Sequence, residues 1–180
     1  MKKLFISVLG ILFFSAQHSV AQVSFSHAIG AGIYAASDST GGASGSGIVY
    51  SPRLNLLNFN DNATLSLGTH LAFGIDLNSQ EGASNFVFDF PIMAELNVGH
   101  ACNTDNTNAA GFYVGAGYGF NSEGLGMNTG LVLNGGFRTN VLFQRSLELR
   151  FALMIPFNTT STGTTSVIGL NLSYTFGMNN

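Results

Sequence analysis

From residue 23 onward the chain repeats one pattern. Segments of twelve to fifteen residues carry bulky apolar side chains at every second position, and clusters of Gly, Asn, Ser, Thr and Asp separate them. Eight such segments are predicted, over 23–36, 46–57, 63–77, 85–99, 109–120, 127–141, 145–157 and 165–177. A period of two is the signature of a strand with two unlike faces. Strands of globular domains usually run about 5–6 residues, whereas a tilted membrane-crossing strand needs about 9–11. No amphipathic helix is evident.

The two faces are sharply sorted. In the third segment Leu65, Leu67, Leu71, Phe73 and Ile75 oppose Thr64, Ser66, Gly68, His70, Ala72, Gly74 and Asp76. In the fifth, Phe112, Val114, Ala116, Tyr118 and Phe120 oppose Gly111, Tyr113, Gly115, Gly117 and Gly119. The stretch FVFDFPIMAELNVG, residues 86–99, buries two acids in greasy surroundings, yet Asp89 and Glu95 both fall opposite its apolar face. So do Arg53, Asp76, Arg138, Glu148 and Arg150 in their own segments. With two faces open to each of seven residues, chance would give this sorting about once in a hundred trials.

Alternation alone fits a soluble barrel with an apolar inside or a membrane barrel with an apolar outside. Composition chooses between them. Charged residues make up 8% of the chain, against about 25% in soluble domains, too few to wet a surface. An eight-stranded barrel has room inside for one modest filling of side chains, so the glycines at 115, 117 and 119 belong inside and the bulky residues outside, against lipid. The reading is all-β: an eight-stranded antiparallel up-and-down transmembrane β-barrel spanning 22–180.

Residues 1–21 read as a cleaved export signal: Lys2 and Lys3, an apolar run from Leu4 to Phe14, then Ser19-Val20-Ala21 with cleavage after Ala21. The remaining four arginines face nine acids, and no basic patch suggests nucleic acid. Cys102, the sole cysteine, can form no intrachain disulfide. Pro52, Pro91 and Pro156 fall within segments; each removes a ladder donor, and bulges are one way to absorb them.

The whole of 22–180 resembles the small eight-stranded outer-membrane barrels of the OmpA/OmpX/OmpW type. The sharpest local element is GLNLSYTF, 169–176. Gly169, Leu172, Tyr174 and Phe176 match the C-terminal signal read by the outer-membrane assembly machinery in such barrels; Val167 departs from it at a place usually polar. The resemblance implies the cell outer membrane, contact with its lipid, recognition by that machinery and a monomer. With Gln22 on the periplasmic side, the external loops fall around SDSTGGASGS, NSQEGAS, NSEGLG and NTTSTGTT, and the periplasmic turns at NFNDN, HACNTDNTN and NVLFQR.

No chemistry is predicted. A lipid-modifying barrel needs a Ser/His pair at the outer leaflet, but His27 lies near the periplasmic end, His70 points inward and His100 sits in a periplasmic turn. No nucleophile–base–orienter set, metal-ligand spacing or cofactor motif emerges. GAGYG lies mid-strand with no helix after it, so it is no phosphate loop. The expected function is a structural barrel displaying surface loops over a charge-plugged interior. The alternative is a narrow pore or a conduit for small or hydrophobic solutes. Counted from the periplasmic strand ends, Arg53, Glu95, Arg138, Glu148 and Arg150 fall in one band and are predicted to form a buried ionic layer. Arg138 and Glu148 flank one turn as cross-strand neighbours, and Asp76 and Asp89 lie higher, toward the external mouth.

Overall fold

The computed structural model describes residues 23–37, 42–76, 86–103, 106–123, 126–142, 145–157 and 166–176. The predicted export signal lies outside the described residues. So do 38–41, 78–84, 124–125 and 158–165 of the predicted external loops.

Nine strands follow one another: β1 (Ser24–Ser37), β2 (Gly42–Asn60), β3 (Ala63–Gly68), β4 (Leu71–Asp76), β5 (Phe86–Gly99), β6 (Ala110–Glu123), β7 (Gly126–Leu142), β8 (Arg145–Pro156) and β9 (Ser166–Phe176). Every pairing is antiparallel. β3 and β4 both pair with β2 on one side and β5 on the other, and β9 returns to β1. They are two halves of one barrel strand, so the ring has eight members and leaves no open edge.

Two prolines explain why that strand is interrupted. The amide of Thr69 donates to the carbonyl of Pro52 at 3.1 Å. A strand residue turns its N–H and C=O to the same side, so Pro52 faces Thr69 but has no N–H to return. Register carried through from Gly68↔Met93 to Ala72↔Asp89 sets His70 opposite Pro91. Backbone groups alternate sides, so His70 turns toward β5 and again meets a proline. The gap at Thr69–His70 is two missing donors, with no slip in register. Pro156 lies past the last β8–β9 partners, Met154↔Val167. No bulge accompanies any of the three prolines; the register shifts fall at Asn55/Leu57, Asn58/Asn60 and Asn140/Leu142.

The ladder also fixes the tilt. From Ser26 the partners run through Arg53, Gly68, Met93, Gly117, Val132, Met154 and Val167, then back to β1 at Ala36, ten residues above the start. With a rise of about 3.3 Å per residue and strands about 4.8 Å apart, that stagger tilts the strands by about 40°, within the range of closed barrels.

Period-two alternation then decides in from out. Ile33, Ile48, Phe73, Val114, Phe151 and Ile168 each expose more than half of their surface on the outer wall. Aromatic clusters mark both ends of this apolar wall. Near the start of β1, His27 packs on Phe25 and Phe176; at the other end Phe88, Phe90, Phe120, Tyr118 and Phe157 adjoin in sequence. Such a wall is stable only against lipid.

Inside, the upper half differs from expectation. Met93, Val132, Met154 and Val167 form one apolar cluster, and Tyr34, Val49 and Ala72 another. Val132, Met154 and Val167 are direct partners on consecutive strands, which accounts for an apolar residue at 167. "Lower" below denotes the end holding the start of β1 and the turns after β2, β5 and β7.

Candidate functional site

The lower interior is ionic. Arg53, Glu95, Arg138, Glu148 and Arg150 are each at most 6% exposed. Their strands bring them there through alternation alone, since each lies on the inward face of β2, β5, β7 or β8.

Glu148 is the hub. Its Oε2 accepts from Arg138 Nε at 2.6 Å, and its Oε1 accepts from Arg150 Nη2 at 2.8 Å and Nε at 3.0 Å. Tyr113 Oη donates to the same Oε1 at 2.7 Å and accepts from Arg150 Nε at 2.8 Å. The Tyr113 ring also stacks beneath the Arg138 guanidinium, 4.1 Å from ring centre to Cζ, a contact worth about 2 kcal/mol or more when desolvated. Each charge thus meets an opposite charge together with hydrogen bonds, the condition under which ions persist in a dry interior.

Glu95 joins from the opposite wall. Its Oε1 accepts from Asn134 at 2.6 Å and lies 3.4 Å from Arg150 Nη1. This reach crosses β6 at Gly115, the direct partner of Glu95, where a Cβ would press on Glu95 Cγ at 2.9 Å and on the Asn134 side chain. Gly136 gives Tyr113 its place similarly, since a Cβ there would lie 2.5 Å from the phenol oxygen.

Asn97 links the remaining arginines. Its Oδ1 accepts from Arg138 Nη1 at 2.6 Å and Arg53 Nη1 at 3.0 Å, and its amide donates to Ser66 Oγ at 2.7 Å. Arg53 also donates to Ser26 Oγ at 3.1 Å and the Ala101 carbonyl at 2.6 Å.

Asp89 lies higher on β5 but is wired to the same layer by His70. Arg150 Nη1 lies 3.0 Å from His70 Nδ1. A guanidinium only donates, so Nδ1 accepts and the ring proton sits on Nε2. That nitrogen lies 3.2 Å from Asp89 Oδ2, close to the carboxylate but poorly aligned for a hydrogen bond. Arg53, Arg138 and Arg150 are thereby balanced by Glu95, Glu148 and Asp89. Asp76 ends β4 opposite Gly45; its side chain lies outside the described residues.

Sequence reasoning missed His70, Tyr113, Asn97 and Asn134 as members of this layer. All four lie on inward faces, and that was the available signal. Which inward residue touches which depends on the ten-residue stagger, and alternation does not carry it.

Below the layer, the turn after β5 folds across the mouth. Gly99 and Ala101 have φ of 80° and 59°, a left-handed bend that carries His100–Asn103 under the barrel, all of them buried. Cys102 is fully enclosed, its Sγ 3.7 Å from the Asp61 carbonyl, and burial pushes its thiol up. His100 Nε2 lies 2.8 Å from Ser146 Oγ, and Nδ1 lies 2.6 Å from the Asn108 carbonyl. This Ser–His pair, absent from the sequence reading, is closed off: Ser146 is 1% exposed. Among the described residues, no group of three His, Cys, Asp or Glu side chains could hold a metal ion.

No protein-family model matches this sequence, and no curated protein matches it either. Solved structures do. Neisserial surface protein A is 17% identical with a TM-score of 0.54, the match covering 86% of this chain and 98% of that one. Ail, the attachment invasion locus protein of Yersinia pestis, solved with the heparin analogue sucrose octasulfate, is 11% identical with a TM-score of 0.55, covering 84% of this chain and 97% of that one. The chain has the fold of the small eight-stranded outer-membrane barrels.

Proposed function

We propose that the protein is an integral outer-membrane barrel that serves as a closed scaffold for its upper loops, not as an open pore. The observation that carries this reading is the Glu148 hub. Two arginines and a tyrosine converge on one carboxylate at 2.6–3.0 Å, tying β6, β7 and β8 together across the lower interior, while Glu95 reaches in from β5. The apolar cluster of Met93, Val132, Met154 and Val167 forms a second seal above it. An ion crossing the barrel would have to part the first and dehydrate against the second.

In this reading the outer wall contacts lipid, the lower end faces the periplasm, and residues 169–176 are read by the outer-membrane assembly machinery. On β9, Leu172, Tyr174 and Phe176 share the outer face and Gly169 the inner one. The protein works as a monomer, without cofactor or catalysis. The test is fractionation and bilayer recording on the protein cleaved after Ala21. Recovery in the outer membrane, heat-modifiable gel mobility and a closed baseline are expected. Recovery in the soluble periplasm would refute the membrane assignment, and a steady open current would favour the alternative of a narrow solute pore.

A further inference from the structure

Above the ionic layer the wall does little to fill its own interior. Once the ten-residue climb per circuit is taken into account, the inward positions of one level are Gly32 on β1, Gly47 on β2, Ala72 on β4, Ala152 on β8 and Gly169 on β9. At about 3.3 Å per residue and a tilt of about 40°, these five stand within about 5 Å of one height. Polar side chains reach into this belt of small residues. Tyr34 comes from above and lies along the wall: a Cβ at Gly169 would stand 3.1 Å from its Cε1, and one at Gly32 2.9 Å from its Oη. The same Cβ at Gly32 would overlap Asn171 Oδ1, so phenol and amide share one spot. From the other wall come His70 and Asp89, 3.2 Å apart at Nε2 and Oδ2. The phenol is near enough to feel the charges of Asp89 and of Arg150, the cross-strand partner of Asn171.

These groups gather without bonding to one another. Tyr34 Oη, both amide atoms of Asn171 and His70 Nε2 are buried, and none has an aligned hydrogen-bond partner among the described residues. Native interiors rarely leave buried polar groups in that condition, because each has given up its water. We propose that this level of the barrel is an enclosed water site, holding ordered water that bridges Tyr34, Asn171, His70 and Asp89.

The mixture of donors and acceptors selects water over an ion. His70 accepts from Arg150 at Nδ1 and therefore offers an N–H at Nε2. Tyr34 offers an O–H and Asn171 an amide N–H, while the Asp89 carboxylate and Asn171 Oδ1 accept. A cation would face those donors beside the Arg150 guanidinium, and an anion would face Asp89. Water accepts and donates at once. It can take a hydrogen bond from His70 Nε2 and give one to Asp89, completing a link that is poorly aligned directly. The ionic layer lies below the site, and Val132, Met154 and Val167 stand beside and above it, so this water is held apart from both mouths.

A high-resolution crystal structure of the protein should show ordered water within hydrogen-bond distance of at least two of Tyr34 Oη, Asn171, His70 Nε2 and Asp89. X-ray radiolysis in lipid vesicles reports the same water without a crystal, since radicals formed from it hydroxylate the nearest ring. With a radical scavenger in the bulk solvent, Tyr34 should be labelled several-fold faster than Tyr113, which is also buried but bonded to Glu148 and Arg150. Asn171→Leu, checked for heat-modifiable mobility, should bring Tyr34 labelling down toward the Tyr113 rate. A structure in which the four groups bond directly to one another, or hold a metal ion or another non-water molecule, would overturn the proposal. So would Tyr34 labelling no faster than that of Tyr113, labelling that the bulk scavenger abolishes, or full labelling retained in folded Asn171→Leu.

Discussion

Arg138 and Glu148 are direct partners across the β7–β8 ladder, and their side chains meet inside the barrel with Nε 2.6 Å from Oε2. Removing one partner leaves a charge in the interior without its closest counter-ion. Arg138→Ala should therefore destabilise by about 3–5 kcal/mol, read as the urea midpoint in lipid vesicles. The double variant with Glu148→Ala should lose less than the sum of the two single changes, because the second substitution removes the charge that the first stranded. Strict additivity would mean that the pair contributes nothing as a pair.

Gly136 makes room for Tyr113. A Cβ at 136 would lie 2.5 Å from the phenol oxygen and 2.6 Å from Cζ, so Gly136→Ala must displace the ring that Arg138 stacks on. A loss of about 1–3 kcal/mol is expected from overpacking. Tyr113→Phe keeps the ring but removes the hydroxyl that donates to Glu148 and accepts from Arg150, and should cost about 1.5–3 kcal/mol as a hydrogen bond to charged groups. Little effect of either change would place Tyr113 outside the network.

The outer wall should reject charge by depth. Leu133 is near the middle of β7 and 41% exposed, whereas Phe25 is the second residue of β1 and 49% exposed. Leu133→Arg should cost about 2–4 kcal/mol and Phe25→Arg about 0–1. Equal costs in vesicle unfolding would contradict a lipid-facing wall.

The interrupted strand makes a prediction about backbone hydrogen bonds. Pro52→Val supplies the amide that the Thr69 carbonyl lacks, so it should add one ladder bond worth about 0.5–1.5 kcal/mol. The amide gained at position 52 should be slow in hydrogen exchange. Fast exchange there would show that the gap at Thr69–His70 has another cause.

Strand number and faces were legible in the sequence because a period of two leaves each residue only two choices. Contacts were less legible. Arg138 and Glu148 flank a short turn, and their pairing follows from counting back from it. Arg150 and His70 are eighty residues apart and meet only because the ladder climbs ten residues per circuit, a quantity set by register around the whole ring. The closed turn was hidden for a different reason: HACNTDNTN reads as a polar loop, and nothing local reveals that Gly99 and Ala101 bend it inward. The apolar upper seal was missed because Met93, Val132 and Met154 sit on faces whose glycines and polar residues dominate the pattern.

The central claim is that the ionic layer closes the barrel, and planar-bilayer recording of Arg138→Ala beside wild type tests it most directly. The guanidinium bridges Glu148, Asn97 and the face of Tyr113, so its loss should open a path through the lower interior. The account predicts a closed or rarely flickering wild type and a clear rise in conductance for Arg138→Ala. A wild type that conducts steadily, with a current unchanged in Arg138→Ala and in Glu95→Ala, would contradict it.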